Sequence, residues 1–212
     1  MAPERTFERR RLDAIAGPAG LAAVVGCAIV VRNGTVSSLE RSVFEAINGL
    51  PDFLEPPMRL VQFLGVLVVG PIVAIAAIVL RRWRLAIAAL LVTLGKLAAE
   101  RTVWHYVSRQ RPGVTEPNAI VRGGTATSGA AFVSGHVILV TALAWVIVPY
   151  LRDGWRVAPW VIVALVSFAR IYLGAHNPLD VIGGIGLGIA VGCAVNLIVA
   201  APVPSPAIRE RH

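Results

Sequence analysis

Long apolar segments, separated by short polar or basic stretches, constrain the fold of this chain more than any other feature. An α-helix needs about 20 predominantly apolar residues to cross a bilayer. Of the 212 residues, 56% are hydrophobic and only 15% are charged, so the chain has room for six such helices and little else. The six segments are residues 14–31, 60–80, 85–106, 134–151, 157–173 and 178–200.

Basic residues cluster at the ends of these segments. A formal net charge of +8 is compatible with nucleic-acid binding, but here the arginines follow the positive-inside pattern of an integral membrane protein. The pattern argues against nucleic acid as a partner. It predicts a multi-pass protein of the cell membrane with both termini cytoplasmic. The clustered residues are Arg5, Arg9, Arg10, Arg11, Arg81, Arg82, Arg84, Arg152, Arg156, Arg209 and Arg211.

The predicted fold is an all-α integral membrane bundle of six transmembrane helices with a short interfacial helix. Residues 1–13 form a cytoplasmic basic N-terminus, 14–200 a single six-helix domain, and 201–212 a cytoplasmic tail. Apolar and polar residues alternate at helical spacing over 37–47, which predicts the interfacial helix. The residues ending at Cys27 also resemble a lipoprotein processing site, but an uncleaved first helix fits the topology.

Three glycines in the last segment recur every four residues, at Gly184, Gly188 and Gly192. They place a stripe of small residues on one helix face, where another helix can approach closely. Packing against a helix of the same chain is the first interpretation. A homodimer through this face is the alternative.

Ionisable residues, some with polar or small neighbours, occur in or beside the apolar segments at three places. Placing an ionisable side chain in an apolar helix costs free energy, so its presence there indicates function. All three places fall on the side of the membrane opposite the basic clusters, so the topology predicts an extracytoplasmic site. The residues are Arg111 after the third segment, Ser134, Gly135 and His136 at the start of the fourth, and Arg170, His176 and Asp180 around the turn between the fifth and sixth.

Some of these residue types suit phosphate binding. The guanidinium groups of Arg111 and Arg170 can hold phosphate oxygens bidentately. Ser134 and Gly135 would lie at a helix start, where free N–H groups and the helix dipole favour an anion. No carboxylate cluster or Cys/His set has metal-ligand spacing, so we expect a site without metal or other cofactor.

Other residue types suit phosphoryl transfer. A neutral imidazole at His176 can attack phosphorus, and Asp180, one helical turn further on, would fix its tautomer. His136 is then free to protonate the leaving oxygen and later to activate water.

These residues resemble the type 2 phosphatidic acid phosphatase family, whose pattern is Lys-x6-Arg-Pro, Pro-Ser-Gly-His and Ser-Arg-x5-His-x3-Asp. The resemblance covers roughly residues 96–185. It implies a metal-independent lipid phosphatase in which His176 becomes phosphohistidine, His136 is the acid and Asp180 is the partner of His176. The phosphate-binding residues that it implies are Arg111, Ser134, Gly135 and Arg170.

The chain departs from the family pattern at three positions. Val133 replaces the proline and Ala169 the serine, and neither change removes a charge. Trp104 stands where the first element has lysine, and an indole cannot replace an ammonium group. We expect Arg101, one turn earlier, to supply the missing cation. Lys96 is the alternative.

The sequence therefore predicts a membrane lipid phosphatase that hydrolyses a lipid phosphate monoester or diphosphate on the outer face. A polyprenyl carrier, a phosphatidate and a phosphatidylglycerol phosphate all remain open as substrates. Two alternatives keep the same fold. One is a phosphotransferase that uses the same histidine, and the other is a non-catalytic membrane scaffold.

Overall fold

The computed structural model describes residues 5–204, which form nine α-helices and one two-stranded sheet. This mostly helical architecture agrees with the all-α expectation. Residues 1–4 and 205–212, parts of the predicted N-terminus and tail, lie outside the described range. The helices are α1 (Arg11–Val31), α2 (Ser38–Asn48), α3 (Glu55–Gln62), α4 (Val69–Val79), α5 (Trp83–Tyr106), α6 (Pro112–Thr115), α7 (Gly135–Ile147), α8 (Ala158–Tyr172) and α9 (Pro178–Val199).

The sheet joins the two ends of the described chain. Strand β1 (Arg5–Glu8) pairs antiparallel with strand β2 (Ala201–Pro204), a feature that the sequence did not predict. Next to it, the Arg9 guanidinium donates to the carbonyl of Leu197 at 3.0 Å. The start of α1 is therefore tied to the end of α9.

Within the described residues, three helical segments are long and apolar enough to cross a membrane: Arg11–Val31, Asp153–Tyr172 and Pro178–Val199. A fourth candidate is the pair Asp52–Gly65 and Val69–Val79, which is bent by 65°. The segment predicted as the second span, 60–80, is thus broken into two helices. The backbone becomes extended at Val66, with φ −74° and ψ 149°, before α4 begins.

Helix α9 is central and packs between α1 and α7. Its three regularly spaced glycines face α7: a Cβ on Gly188 would lie 2.6 Å from Thr141 Cβ and 2.8 Å from the Ile138 carbonyl oxygen. Gly184 and Gly192 are likewise buried against α7. The stripe packs inside the chain, so this face is not available for the alternative, a homodimer.

A buried carboxylate joins α1, α7 and α9 near β1 and β2. The Asp13 side chain is fully buried and accepts from Arg10 at 2.7 and 2.8 Å, Trp145 Nε1 at 2.6 Å and Asn196 Nδ2 at 3.2 Å. Because this buried charge is paired and hydrogen-bonded, it can hold the three helices together without an unsatisfied polar group.

At the opposite end of the bundle, α2 and the 107–132 connection cover the ends of α8 and α9. Ser37 Oγ caps α2 by accepting from the Glu40 N–H at 3.2 Å. The buried Arg122 guanidinium donates to the carbonyls of Asn48 at 2.7 Å and Tyr172 at 2.9 Å. These bonds attach the connection to α2 and α8.

Candidate active site

Four chain segments meet at the end covered by α2. They are the segment after α5, the start of α7, the end of α8 and the start of α9. Ser134 N donates to the Asp180 carbonyl at 3.0 Å, and Arg111 Nη1 donates to the Ala175 carbonyl at 3.2 Å. The structure thus brings the three groups of ionisable residues together. His136 interacts electrostatically with Arg111, Arg170, His176 and Lys96.

The turn between α8 and α9 positions two of these residues. Gly174 N donates to the Ile171 carbonyl at 2.9 Å and Ala175 N to the Arg170 carbonyl at 3.0 Å, which is the Schellman arrangement. Gly174 has φ +72°, and a Cβ there would lie 2.6 Å from the Ile120 carbonyl oxygen. Glycine is therefore required, and the tight turn leaves His176 close to the end of α8.

His176 is buried and oriented by a backbone carbonyl. Its Nδ1 lies 2.9 Å from the Ala131 carbonyl oxygen. Because a carbonyl oxygen only accepts, Nδ1 carries the proton in this geometry and the lone pair of the neutral ring is on Nε2. Burial lowers the pKa of His176 to about 4, against the opposing influence of Asp180. The imidazole is therefore neutral at pH 7.

Asp180 lies beside His176, but its hydrogen bonds go elsewhere. Its Oδ2 is 3.8 Å from His176 Nδ1 and accepts from the Asn177 N–H at 2.8 Å, which closes a capping box at the start of α9. Its Oδ1 accepts from Arg109 at 2.9 Å. Asp180 is thus held rigidly next to the ring.

Two guanidinium groups face the histidines without a carboxylate partner. Within the described residues, no carboxylate oxygen lies within 4.0 Å of Arg111 or Arg170, although Arg170 Nη1 donates to Gln62 Oε1 at 2.6 Å. Arg170 Nε and Ser134 Oγ are buried and have no hydrogen-bond partner in the described part of the chain. Burial lowers the pKa of Arg111. An anion bound here would offset that desolvation and satisfy these donors.

The start of α7 lies beside this pair. No side chain among the described residues caps its N-terminus. Lys96 Nζ and Glu100 Oε2 of α5 form an ion pair at 2.6 Å, and the pair packs directly on Gly135. A Cβ on Gly135 would collide with Glu100 Oε1 and lie 2.9 Å from Lys96 Nζ. The glycine thus allows a lysine to approach a helix N-terminus.

A family model with the description PAP2 superfamily matches residues 83–203, which include all of these groups except Gln62. The chain belongs to the PAP2 superfamily.

Curated relatives point the same way. The chain is 27% identical over 164 residues to the putative undecaprenyl-diphosphatase YbjG of Escherichia coli K12, covering 74% of this chain and 81% of that protein. It is 39% identical over 64 residues to lipid A 4′-phosphatase of Porphyromonas gingivalis. That second match spans only 29% of this chain and 26% of the relative.

Two solved structures share the fold. The phosphatidylglycerolphosphate phosphatase of Bacillus subtilis, a transmembrane PAP2-type protein, aligns with TM-score 0.69 and 22% identity over 85% of this chain and 94% of that one. Aquifex aeolicus LpxE aligns with TM-score 0.64 and 21% identity over 75% and 95% of the two chains.

In this PAP2 chain the structure does not bring Arg101 to the site. Arg101 is exposed on α5, and Trp104, at the position of the family's lysine, is 40% exposed. Lys96 lies closer, on Gly135 and within electrostatic range of His136. The alternative that Lys96 replaces the missing lysine therefore fits the geometry better than the first expectation.

Three residues beside this candidate site were given no role by the sequence. Gln62 is uncharged and lies in an ordinary helix, so no pattern indicates it. Glu40 and Arg109 form a buried ion pair at 2.7 Å next to Asp180. The one available signal was a carboxylate on an amphipathic helix and an extra arginine just before Arg111.

Proposed function

We propose that this protein hydrolyses the phosphate monoester or diphosphate of a membrane lipid through a phosphohistidine, without a metal ion. The observation that carries the proposal is the pair of guanidinium groups of Arg111 and Arg170. Among residues 5–204 they have no carboxylate partner and no side chain caps the start of α7 beside them, and they face two histidines. Such a cluster of donors is matched to the dianionic phosphoryl group.

In the first step, His176 Nε2 attacks phosphorus and the bond to the leaving oxygen breaks. His136 donates a proton to that oxygen, and Arg111 and Arg170 balance the charge on the phosphoryl oxygens. In the second step, His136 takes a proton from water as the oxygen attacks phosphorus. The P–N bond then breaks, inorganic phosphate leaves and His176 returns to its neutral form.

Lys96 is the third cation in this proposal. It stands beside Gly135, so its ammonium can reach an anion held at the start of α7. Its partner Glu100 holds it in this orientation until substrate arrives. Arg101, which is exposed, then makes no contact with substrate.

We also propose six membrane spans: α1, the bent pair α3 and α4, then α5, α7, α8 and α9. Helix α5 has 24 residues, or about 36 Å of rise, and carries Lys96, Glu100 and Arg101 in the half nearer the site and Arg84 at the other end. The active site would then be extracytoplasmic, with α2 interfacial. The basic turns and both termini would be cytoplasmic, where Arg84 donates to the Val199 carbonyl at 2.6 Å. Residues 14–200 would form the single catalytic domain.

The fold and the relatives support a lipid phosphate as the substrate class. In the proposed topology, the site at the ends of the apolar helices would lie at the level where a lipid head group meets water. The names of the relatives give lipid A, a polyprenyl diphosphate and phosphatidylglycerolphosphate as substrates of those proteins. Because the match to YbjG covers most of both chains, a polyprenyl diphosphate is the first substrate to test.

The test is phosphate release by the detergent-purified full chain. The substrates are polyprenyl diphosphate, polyprenyl phosphate, phosphatidate, phosphatidylglycerolphosphate and lipid A, each with EDTA present. His176→Ala should abolish release, whereas His105→Ala, which changes an exposed histidine on α5, should not. Turnover lost in EDTA would contradict the metal-free mechanism.

Two other outcomes would favour the alternatives. Phosphate release that falls when a lipid or sugar alcohol is added, with the phosphoryl group found on the alcohol, would indicate a phosphotransferase. No turnover on any lipid would indicate a scaffold of the same fold.

A further inference from the structure

Arg109 is the largest fully buried side chain among the described residues, and it joins two carboxylates. Its Nη1 donates to Asp180 Oδ1 at 2.9 Å and to Glu40 Oε1 at 3.0 Å, and its Nη2 donates to Glu40 Oε2 at 2.7 Å. Burial alone would lower the pKa of Arg109, but the two carboxylates outweigh it and raise the pKa. One guanidinium group and two carboxylates give the cluster a formal net charge of −1.

Arg109 also positions the second group beside His176, the Ala131 carbonyl. Its carbonyl oxygen accepts from Ala131 N at 2.8 Å, and the Ala131 carbonyl oxygen lies 2.9 Å from His176 Nδ1. One residue thus bonds to both groups that lie beside that nitrogen. It holds Asp180 through its guanidinium group and Ala131 through its backbone.

Glu40 completes the cluster from α2. Its Oε1 accepts from Leu179 N at 2.9 Å, in the first turn of α9, so Glu40 fixes both Arg109 and the start of the helix that carries Asp180. Without Glu40, the Arg109 charge would be paired with Asp180 alone. The net negative charge beside His176 would then disappear.

We propose that Glu40 and Arg109 are positioning residues that hold the Ala131 carbonyl and Asp180 against His176 Nδ1 during phosphoryl transfer. The inference rests on the proposed function. When a P–Nε2 bond forms and the bond to the leaving oxygen breaks, Nδ1 keeps its proton and the ring becomes cationic. A buried cluster of charge −1 stabilises that cation, and the stabilisation appears only as the ring is phosphorylated. Loss of Glu40 should therefore lower kcat and leave KM nearly unchanged.

The chain offers a matched control one residue further along α2. Arg41 Nε pairs with the buried Glu116 Oε2 at 2.7 Å, so it also links α2 to the 107–132 connection. No hydrogen bond or ion pair in the described part of the chain joins this pair to His176, Asp180 or Ala131. Glu116→Gln removes the same kind of linkage as Glu40→Gln but leaves the charge near His176 unchanged.

The experiment compares wild type, Glu40→Gln, Glu40→Asp and Glu116→Gln as full chains in detergent, with the best substrate of the panel. Steady-state kinetics give kcat and KM, a rapid-quench single turnover gives the rate of phosphoenzyme formation, and tryptophan fluorescence gives Tm. For Glu40→Gln we expect kcat and the phosphorylation rate to fall at least tenfold, with KM within twofold of wild type. Glu40→Asp, which keeps the charge, should recover a substantial part of that loss. Glu116→Gln should stay within threefold of wild type.

Equal losses in Glu40→Gln and Glu116→Gln would overturn the proposal and assign both pairs to the packing of α2. So would wild-type kinetics in Glu40→Gln, or a Glu40→Asp variant as slow as Glu40→Gln. If Glu40→Gln does not fold, kcat and KM of the Glu40→Asp and Arg109→Lys variants test the proposal instead. Arg109→Lys cannot bridge two carboxylates as a fork and should lower kcat at unchanged KM. Absence of turnover in wild type would instead refute the proposed function itself.

Discussion

His176 Nδ1 lies 2.9 Å from the carbonyl oxygen of Ala131. Ala131 N donates to the Arg109 carbonyl oxygen, and this bond within the 107–132 connection holds Ala131 next to the α8–α9 turn. The sequence suggested Asp180 as the direct hydrogen-bond partner, whereas its Oδ2 is 3.8 Å away. A backbone acceptor fixes the tautomer without adding charge in contact with the ring. It therefore leaves the ring neutral and Nε2 free to act as nucleophile.

The lowered pKa of His176 should make stability depend on pH. The folded-state pKa of about 4 is below the unfolded value of about 6.5, so the unfolded chain binds this proton more readily. The stabilisation is complete above pH 6.5 and is lost as the pH falls towards 4. Between pH 7 and pH 5 we expect a loss of about 2 kcal/mol, or roughly 5 °C in Tm. Tryptophan fluorescence during heating measures it.

The control for this prediction is a pair of variants. His176→Gln should show a smaller drop in Tm between pH 7 and pH 5 than wild type, because it lacks the titrating group. His105→Gln, on an exposed face, should behave like wild type. Equal pH dependence in wild type and His176→Gln would contradict the assignment.

Lys96 and Arg101 differ in location, so their substitutions should differ in effect. Lys96→Met removes the ammonium beside Gly135 and should lower kcat/KM at least tenfold, since one phosphate-facing charge is lost. Arg101→Met, at an exposed position, should stay within twofold. Phosphate-release kinetics on the two variants decide, and the reverse order of effects would restore Arg101 as the compensating cation.

Gly135→Ala tests the close approach of α5 to the start of α7. Its Cβ would push against Glu100 and Lys96, so we expect activity to fall at least tenfold, with a smaller change in Tm because the side-chain ends can move. Gly26→Ala is the matched change, since nothing lies within 4 Å of its new Cβ and alanine favours the helix. It should retain activity and lose no stability. Equal activity in the two variants would show that this contact is unimportant.

Gln62 leaves the charge of Arg170 available, and this can be tested with an almost isosteric change. Arg170 Nη1 lies 2.6 Å from Gln62 Oε1. Gln62→Glu would therefore place a carboxylate next to the Arg170 guanidinium, where it would compete with phosphate. We expect KM to rise at least tenfold. Gln62→Leu removes the hydrogen bond without adding charge and should raise KM only a few-fold. Similar KM values would argue that Arg170 does not bind the phosphoryl group.

The six-span topology predicts opposite labelling of two exposed positions. Ala126→Cys in the 107–132 connection should react with a membrane-impermeant maleimide on intact cells, whereas Gly154→Cys in the basic turn before α8 should react only after lysis. The native Cys27 and Cys193 are buried and give a low background. Labelling of Gly154→Cys on intact cells would reverse the topology.

The local sequence pattern determined the positions of most helices and the spacing of several site residues. Apolar length predicted where α1, α5, α7, α8 and α9 lie, because helix formation in an apolar segment depends on neighbouring residues. The spacing of Arg170, His176 and Asp180 around Gly174 was equally local, since one tight turn and one helical turn separate them. The predicted cluster of charged residues at one end followed from the topology.

Only the tertiary structure decided what each polar group faces. The bend after Gly65 brings Gln62 to Arg170, and α2 carries Glu40 to Arg109 across 69 positions of sequence. The choice of Lys96 over Arg101 depends on which side of α5 packs on Gly135, and the glycine stripe of α9 is covered by α7. Contacts between distant segments depend on how whole helices pack. Residue spacing along the chain therefore cannot specify them.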